Sequence, residues 1–257
     1  MYTLLSHSRT VFWGKEIHLY EQIASTNEAA ANLLSNFRPA EGTAILTFDQ
    51  TAGKGQRGNT WLSEAGKNIA ISYILYPHFL PAAKQFLLAQ AIALGVCDFV
   101  RQYIEVPKIR IKWPNDIYAD TRKVAGILIE NTISNNGIKN SIIGIGINVN
   151  QINFDHKLPN PTSFTNETQK EFNLYELCES LSVFLEQRIL SLKTGKTTIL
   201  EQEYLENLYL YRKAAQYKDN QGKEFEGTII GIEPGGKLIL RIGFENRSFD
   251  LKEISFS

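Results

Sequence analysis

The hydrophobic pattern alternates between short apolar runs and stretches with helical spacing until about Lys213. Residues 43–48 and 68–75 are rich in branched and aromatic side chains, which is typical of strands. Residues 123–131 are mostly apolar, as a central strand would be. A second β-rich run, NSIIGIGINVN, follows it, and the junction around Asn135, Asn136 and Gly137 predicts a hairpin.

Helical signals lie between these strands. Residues 24–34 predict a helix with Ser25 at its N-cap and Glu28 three residues later, which is the spacing of a capping box. Pro81 predicts the start of a second helix, which we expect to pack on the sheet through one apolar stripe. The stripe consists of Phe86, Ala89, Ala93, Val96 and Val100. Residues 174–192 and 198–213 predict two further helices.

The remaining segments divide the chain. Residues 109–118 predict a short strand stopped by Pro114, and residues 151–170 read as a surface loop rich in asparagine and proline. From Ala214 onward, short β-runs are broken by DNQG and EPGG, which predicts a small five-stranded barrel or sandwich. We therefore expect an α+β protein with a large domain at 1–212 and a small β-domain at 213–257.

Composition limits the possible functions. The 257 residues include 27 basic and 27 acidic side chains, so the net charge of zero gives no general attraction to nucleic acid or anionic membrane. Cys97 and Cys178 lie in apolar helical patterns and are expected to be buried free thiols. The four histidines are scattered, which predicts no metal site held by the protein.

The sequence predicts neither a signal peptide nor a membrane span. The N-terminus shows no apolar signal region, and no segment is expected to be long and apolar enough to cross a bilayer. These features favour a cytoplasmic protein.

The loop at residues 50–61, QTAGKGQRGNTW, concentrates glycines and cations directly after a strand. Its glycines allow a ligand to approach the backbone closely, and Lys54 and Arg57 add positive charge, so the loop suits an anionic ligand. GKGQRG also fits the dinucleotide pattern GxGxxG, but a strand rather than a helix is predicted to follow, and no Walker A sequence is present. From this stretch alone, a hairpin tip without a ligand is an equal alternative.

Several polar residues outside the loop have two possible roles. Lys112 and Lys123 lie at strand ends, where functional groups are often placed, although a solvated lysine is the commoner explanation. Thr26 and Asn27 are not required for the helix cap, so they could serve a ligand at the helix N-terminus.

Taken together, STN (25–27), the GKGQRG loop, KWPND, RKVAGILIE and GIGINVN resemble the biotin-protein ligases in order and spacing across nearly the whole chain. The resemblance implies a mixed-sheet catalytic domain and a small C-terminal SH3-like β-barrel. It also implies that biotin and MgATP form biotinyl-5′-AMP, and that a lysine of a biotin carboxyl carrier protein then accepts the biotinyl group. The implied cofactors are ATP and Mg²⁺, and the Mg²⁺ is expected to be held mainly by the substrate phosphates.

The resemblance also implies the site residues. Those expected to bind biotin are Ser25, Thr26, Asn27, Gln50, Gly53, Lys54, Gly55, Gln56, Ser72, Lys123, Gly126 and Gly144. Those expected to bind ATP or the adenylate are Lys54, Gln56, Arg57, Trp61, Asn115, Lys123 and Asn148. Lys123, Lys112, Asp116 and Arg57 are the expected catalytic residues, with Asp116 orienting the incoming lysine amine, and Trp113 is a second candidate wall of the pocket.

One departure from the family pattern concerns the loop. Many family members carry GRGRRG, whereas this chain has Lys54 and Gln56 in place of two arginines. Lysine retains the charge but not the bidentate fork, and glutamine retains only hydrogen bonding. We therefore predict weaker retention of the adenylate.

The same residues bear on DNA binding, on dimerisation and on two alternative functions. Matching segments begin so early that no DNA-binding winged helix, and hence no DNA partner, is expected. Pairing of exposed sheet edges could give a homodimer. The alternatives are a lipoate ligase or acyltransferase on the same core fold, and a non-catalytic module whose C-terminal barrel binds nucleic acid or a partner.

Overall fold

The computed structural model describes residues 2–134 and 137–256, and only the backbone of Arg57. Within these residues, the main sheet is mixed and eight-stranded, with the order β1-β2-β3-β6-β10-β9-β8-β7. Among the described strands of this sheet, only β2 and β3 pair in parallel. The strands up to residue 147 are β1 (Tyr2–Leu5), β2 (Ile17–Tyr20), β3 (Ala44–Thr47), β4 (Gly53–Lys54), β5 (Thr60–Trp61), β6 (Ile69–Leu75), β7 (Ile109–Lys112), β8 (Asp116–Ala119), β9 (Arg122–Ser134) and β10 (Gly137–Ile147).

The centre of this sheet follows the predicted strands. β6 is buried along its whole length, and it pairs antiparallel with both β3 and β10. β9 and β10 also pair antiparallel, which confirms the two predicted strands of the hairpin. Asn135 and Asn136, which were predicted at its turn, lie outside the described residues. The long apolar stretches predicted strands because a sheet covered on both faces buries every side chain.

The helices of the described chain lie on both faces of the sheet. They are α1 (Thr26–Asn36), α2 (Phe86–Val100), α3 (Phe164–Thr168), α4 (Leu174–Lys193) and α5 (Thr197–Glu206). α1 packs against β3, β6 and β10, with Ala30 and Ile45 in a small apolar cluster. α2 packs on β7 and β8 of the opposite face and is itself covered by α4 and α5.

The burial of α2 differs from the prediction of a single apolar stripe. Leu87, Leu88, Ile92 and Leu94, which lie outside that stripe, are also buried, because helices cover the face that points away from the sheet. The segment Ala82–Val100 has a mean hydropathy of 1.4 and is long and apolar enough to cross a membrane by length and composition, so the expectation that no such segment exists was wrong. Of this window, 67% is buried inside the protein, so its core position accounts for its composition.

Three local predictions need correction. Residues 109–118 form two antiparallel strands, β7 and β8, which meet at a cis peptide bond between Trp113 and Pro114. The helix predicted at 198–213 ends at Glu206, and Leu210 and Arg212 adopt positive φ beyond it. The loop predicted at 151–170 contains the short helix α3, whose N-cap Ser163 accepts from the backbone N–H of Asn166.

After Ala214 the described chain forms a separate antiparallel sheet with the order β14-β13-β12-β11-β15. The strands are β11 (Ala214–Asp219), β12 (Glu224–Ile232), β13 (Leu238–Ile242), β14 (Glu245–Phe249) and β15 (Ile254–Phe256). The prediction of five short strands is therefore confirmed. Tyr217, Ile229 and Leu240 join the same apolar core as the main sheet, so this sheet is fixed against the rest of the protein.

The two thiols behave as predicted. Cys97 and Cys178 are both free and buried. Burial raises the pKa of the Cys97 thiol to about 12 and also raises the pKa of Cys178. Neither thiol is a nucleophile near neutral pH, because the thiolate is the reactive form.

The buried carboxylate of Glu186 fastens the N-terminal loop to α4. Glu186 is 6% exposed, and its oxygens accept from the backbone N–H groups of Val11, Phe12 and Trp13 at 2.8–3.0 Å. Truncation would leave these three donors without an acceptor in a partly buried loop. We expect Glu186→Ala to lower the free energy of unfolding by about 3 kcal/mol.

Denaturant unfolding measures this loss. Glu179→Ala is the matched control, because Glu179 also lies on α4 and accepts from Ser8 and Arg9, but through hydrogen bonds that are exposed to solvent. We expect a clearly smaller loss for Glu179→Ala. Equal losses in the two variants would contradict the role assigned to burial.

Candidate functional site

A cavity of about 490 Å³ lies where α1, the glycine-rich loop, β9, β10 and the C-terminal sheet meet. Most of the residues that the sequence predicted for the site line it. They are Ser25, Thr26, Asn27, Gln50, Lys54, Gly55, Gln56, Trp61, Lys112, Asn115, Asp116, Lys123, Gly126 and Gly144. Trp113 also lines the cavity. Tertiary structure thus brings together segments that are far apart in sequence.

The other predicted residues lie elsewhere. Ser72 is buried beneath the cavity, with its Oγ 2.7 Å from Thr26 Oγ1 and 2.6 Å from Asn27 Oδ1. Gly53 packs against Gln50 and Trp61, where a Cβ would come within 2.5 Å of the Gln50 side chain and of the Trp61 carbonyl. Asn148 donates to the Thr162 carbonyl at 2.9 Å and does not line the cavity. The side chain of Arg57 lies outside the described part of the structure.

The N-terminus of α1 forms a polar floor. Ser25 caps the helix by accepting from the Glu28 backbone N–H. The Thr26 backbone N–H donates to Gln50 Oε1 at 2.9 Å, and Asn27 Nδ2 donates to Glu130 Oε2 at 2.6 Å. Ser25, Thr26 and Asn27 are buried and hydrogen-bonded, so their positions are fixed before any ligand arrives.

Strand glycines allow the floor to approach the sheet. A Cβ at Gly144 would lie 2.2 Å from Asn27 Oδ1, and one at Gly146 would lie 2.4 Å from the Trp61 indole. Gly144 and Gly146 are two residues apart on β10 and therefore point to the same face. Because both lack side chains, Asn27 and the Trp61 indole can lie directly on the strand.

The cationic end of the cavity is formed by Lys123. Its Nζ pairs with Asp116 Oδ1 at 2.7 Å and lies 5.5 Å from the centre of the Trp61 ring. The Lys123 side chain is 30% exposed, so its charge is partly shielded from water. Gly126 leaves room for it, since a Cβ there would lie 3.1 Å from Nζ.

A second lysine lies near the C-terminal sheet. Lys112 Nζ donates to Tyr118 Oη at 2.9 Å and lies 5.2 Å from the Phe256 ring centre. Burial, with a smaller contribution from the charge of Asp116, raises the pKa of Tyr118 to about 12. Tyr118 therefore remains a neutral phenol beside Lys112 at physiological pH.

The glycine-rich loop folds as the short hairpin β4–β5 with a single helical turn at Gln56–Gly58. A strand follows it, so the structure confirms that GKGQRG is not a Rossmann motif. Lys54 Nζ pairs with Glu28 at 2.5 Å, and this hydrogen bond is the main cause of the raised pKa of Lys54. Among the described groups, Gln56 Oε1 and Trp61 Nε1 are buried without a hydrogen-bond partner.

Sequence reasoning missed part of the cavity wall. The missed residues are Asn59, Thr60, Ala70, Pro114, Ile127, Leu128, Ile145, Gly146, Lys218, Asp219, Leu251, Lys252, Ile254, Ser255 and Phe256. Strand parity could have indicated Gly146, two residues after Gly144. No local signal marked the C-terminal residues, because they reach the cavity only through packing of the second sheet.

The described residues offer no group of three or more histidine, cysteine, aspartate or glutamate side chains placed to hold a metal ion. Asp116 and Asp219 are the carboxylates that line the described cavity. A magnesium site built by the protein alone does not fit this arrangement, since Mg²⁺ requires six oxygen ligands in octahedral geometry.

Comparison with known proteins gives a consistent result. Residues 19–148, just over half of the chain, match the model of the biotin/lipoate A/B protein ligase family. The chain is 29% identical over 238 residues to a Bacillus subtilis protein named bifunctional ligase/repressor BirA, covering 90% of this chain and 71% of that protein. It is 26% identical to the biotin–[acetyl-CoA-carboxylase] ligase of Mycobacterium tuberculosis, covering 89% and 84%.

Among solved structures, the Aquifex aeolicus biotin protein ligase in complex with biotin and ATP superposes with a TM-score of 0.76. That likeness covers 94% of this chain and 98% of the Aquifex chain at 23% identity, so the two proteins share a fold. The expected fold class is thereby confirmed. With the family match over residues 19–148, the chain belongs to the biotin/lipoate A/B protein ligase family.

Proposed function

We propose that this protein is an ATP-dependent biotin-protein ligase, which forms biotinyl-5′-AMP and transfers the biotinyl group to a lysine of a biotin carboxyl carrier protein. The observation that carries the proposal is one cavity with a polar floor at the α1 N-terminus and a lysine–aspartate pair at its other end. The Mycobacterium tuberculosis relative, which is named a biotin–[acetyl-CoA-carboxylase] ligase, supports the same proposal.

In the first step, a carboxylate oxygen of biotin attacks the α-phosphorus of ATP, and pyrophosphate leaves. Both reactants are anionic, so cations must stabilise the charge that develops on the phosphoryl oxygens. Lys123 is the best placed, because Asp116 and the Trp61 ring fix its ammonium inside the cavity. Lys112 and Lys54 line the same cavity and add positive charge.

In the second step, the carrier lysine attacks the acyl carbonyl of the mixed anhydride, and AMP leaves. The attacking amine must be neutral and correctly oriented, and it loses a proton as the amide forms. Asp116 is the carboxylate beside Lys123 and can accept a hydrogen bond from that amine. Asp116 therefore orients the nucleophile, while Lys123 stabilises the leaving phosphate.

The polar floor favours biotin over lipoate. The ureido ring of biotin has one carbonyl acceptor and two N–H donors, and Thr26, Asn27 and Gln50 provide both kinds of group. The dithiolane ring of lipoate offers no N–H donor, so it would desolvate these groups without pairing them. A site built for hydrogen bonding discriminates strongly against an analogue that lacks them.

Magnesium would enter with the nucleotide. Because the described cavity contributes few carboxylates, the phosphates of ATP would supply most of the oxygen ligands of Mg²⁺. When bound, Mg²⁺ neutralises phosphate charge. The lysines described above act on the same oxygens.

The test is exchange of pyrophosphate into ATP, run with biotin, with lipoate, with octanoate and with no acid. This assay reports the first step without requiring the carrier protein. We expect exchange with biotin alone. Exchange with lipoate or octanoate would move the protein to the sister activity, and no exchange with any acid would reject the proposal.

The Gln56→Arg variant should retain the adenylate longer than the wild type. Gln56 lines the cavity, and its buried Oε1 has no donor among the described residues. Its amide is neutral, so it adds no positive charge to hold a phosphate. An arginine would supply a bidentate cation, and we expect release of biotinyl-5′-AMP to slow by about ten-fold. Release is measured by rapid filtration, with Gln56→Lys as the control for charge alone. Unchanged or faster release would contradict the prediction.

We also infer that β1 can support a homodimer. β1 is an edge strand of the eight-stranded sheet, and Tyr2 and Leu4 on it are exposed. Edge strands readily pair with a second chain. Sedimentation of the protein with and without biotin and ATP would test this, and a monomer in both states at high concentration would reject it.

A further inference from the structure

The backbone at Lys123 is held by a segment from outside the main sheet. The described pairing of β9 with β10 ends at Ala125, and the pairing of β9 with β8 shifts register between Lys123 and Ala125. The Lys123 N–H instead donates to the Asn160 carbonyl at 2.7 Å, and the Lys123 carbonyl accepts from the Thr162 N–H at 2.9 Å. Residues 160–162, which we call the strap, therefore continue the sheet beside Lys123.

A buried carboxylate fastens the strap. Glu167 lies on α3, and its side chain is only 4% exposed. Its Oε1 accepts from Thr162 Oγ1 at 2.6 Å and pairs with the Arg122 guanidinium at 2.8 Å. Arg122 directly precedes Lys123, and Thr162 lies beside Lys123 in the strap. One carboxylate oxygen thus links the two segments that flank this lysine.

The hydrogen bond to Thr162 is the stronger of the two links. Thr162 is fully buried, so its hydroxyl would lose its partner if Glu167 were truncated. The Arg122 side chain is 47% exposed, so water screens its ion pair with Glu167. Arg122, Thr162 and Glu167 do not line the described ligand cavity, and they can affect the reaction only through Lys123.

We propose that Glu167 is a positioning residue for Lys123 during adenylate formation, a role that rests on the proposed ligase function. Asp116, which pairs with Lys123 Nζ, lies on β8 opposite Gly126, where the pairing of β8 and β9 is regular. Asp116 therefore keeps its place if the strap loosens. The Lys123 ammonium would then shift relative to Asp116 and to the α-phosphate, and a displacement of about 1 Å can lower a rate by about 10²-fold.

The Glu167→Ala variant should lower kcat for biotin-dependent pyrophosphate exchange at least about ten-fold. The KM values for biotin and ATP should change less than about two-fold, because the lost interaction acts on the transition state. Glu167→Gln retains an oxygen that can accept from Thr162, and it should lose no more than about three-fold. Glu171→Ala, at an exposed position four residues later, is the matched control and should behave like the wild type.

Double variants separate positioning from a general loss of structure. In the Lys123→Ala background, Glu167→Ala should lower the remaining exchange rate by less than about two-fold, because the group that it positions is already gone. In the Lys112→Ala background, Glu167→Ala should cost the same factor as in the wild type, since Lys112 does not contact the strap. A variant that only loosened the fold would lower the rate equally in both backgrounds.

Thermal unfolding checks that each variant is folded under the conditions of the assay. If Glu167→Ala fails to fold, Thr162→Val takes its place, because it removes the same hydrogen bond from the strap and retains the size of the side chain. Wild-type kcat in the folded variant, or an equal loss in the Lys112→Ala and Lys123→Ala backgrounds, would overturn the role of Glu167. Absence of exchange in the wild type would instead reject the ligase function, and this inference with it, so the two failures are distinguishable.

Discussion

The Lys123→Ala variant should lose pyrophosphate exchange by about 10³-fold, while its fold remains intact. Lys123 Nζ is held both by a carboxylate, at 2.7 Å, and over an aromatic ring. Alanine removes the charge from the position where negative charge develops on the phosphate. It also leaves Asp116 in the cavity without its counter-ion, which adds repulsion toward ATP.

Two controls separate chemistry from folding. Lys123→Arg retains the charge but not the shape, and it should recover part of the exchange rate. Lys170→Ala removes a lysine from an exposed surface position and should leave the rate unchanged. Thermal unfolding should show a similar transition for all three variants. Full activity in Lys123→Ala would remove Lys123 from the mechanism.

The Gly144→Ala variant should bind biotin on the order of 10²-fold more weakly than the wild type. A Cβ at residue 144 would lie 2.2 Å from Asn27 Oδ1 and 2.9 Å from its Cγ. Asn27 is 4% exposed and is tied to Glu130 and Ser72, so it cannot move away without breaking these hydrogen bonds. The new methyl group therefore displaces the polar floor of the cavity.

Calorimetric titration with biotin measures this loss. Gly227→Ala is the matched control, since Gly227 is also a buried strand glycine, but a Cβ there would meet only ordinary contacts from 3.5 Å outward. We expect the control to bind biotin normally. Wild-type affinity in Gly144→Ala would show that the α1 N-terminus takes no part in binding.

Local sequence patterns predicted most of the catalytic region. The strands at residues 43–48 and 68–75 were recognisable because strands that are buried on both faces are mostly apolar. The Ser25 cap was recognisable because capping depends on residues only three positions apart. The family motifs KWPND, RKVAGILIE and GIGINVN placed Asp116, Lys123 and Gly144 in one site, and all three residues line one cavity.

Predictions were less accurate where an element's environment depends on distant parts of the chain. The burial of α2 on all sides follows from its cover by α4 and α5, which its own sequence does not record. The end of α5 at Glu206 also depends on tertiary contacts. Leu208 forms a β-bridge with Ile111 of β7, and this bridge replaces further helical turns. Asn148 follows the family motif, yet its side chain is used to hold the Thr162 carbonyl.

By itself, the sequence determined the central strands of the main sheet, the starts of its main helices, the position of the glycine-rich loop, and which residue types can act on an anhydride and a phosphate. Only the tertiary structure decided that Lys218, Leu251 and Phe256 close the same cavity. The physical reason is the separation in sequence of the residues that interact. Periodicity and capping express interactions between near neighbours in the chain, whereas a cavity is formed by packing of elements whose separation in sequence leaves no local pattern.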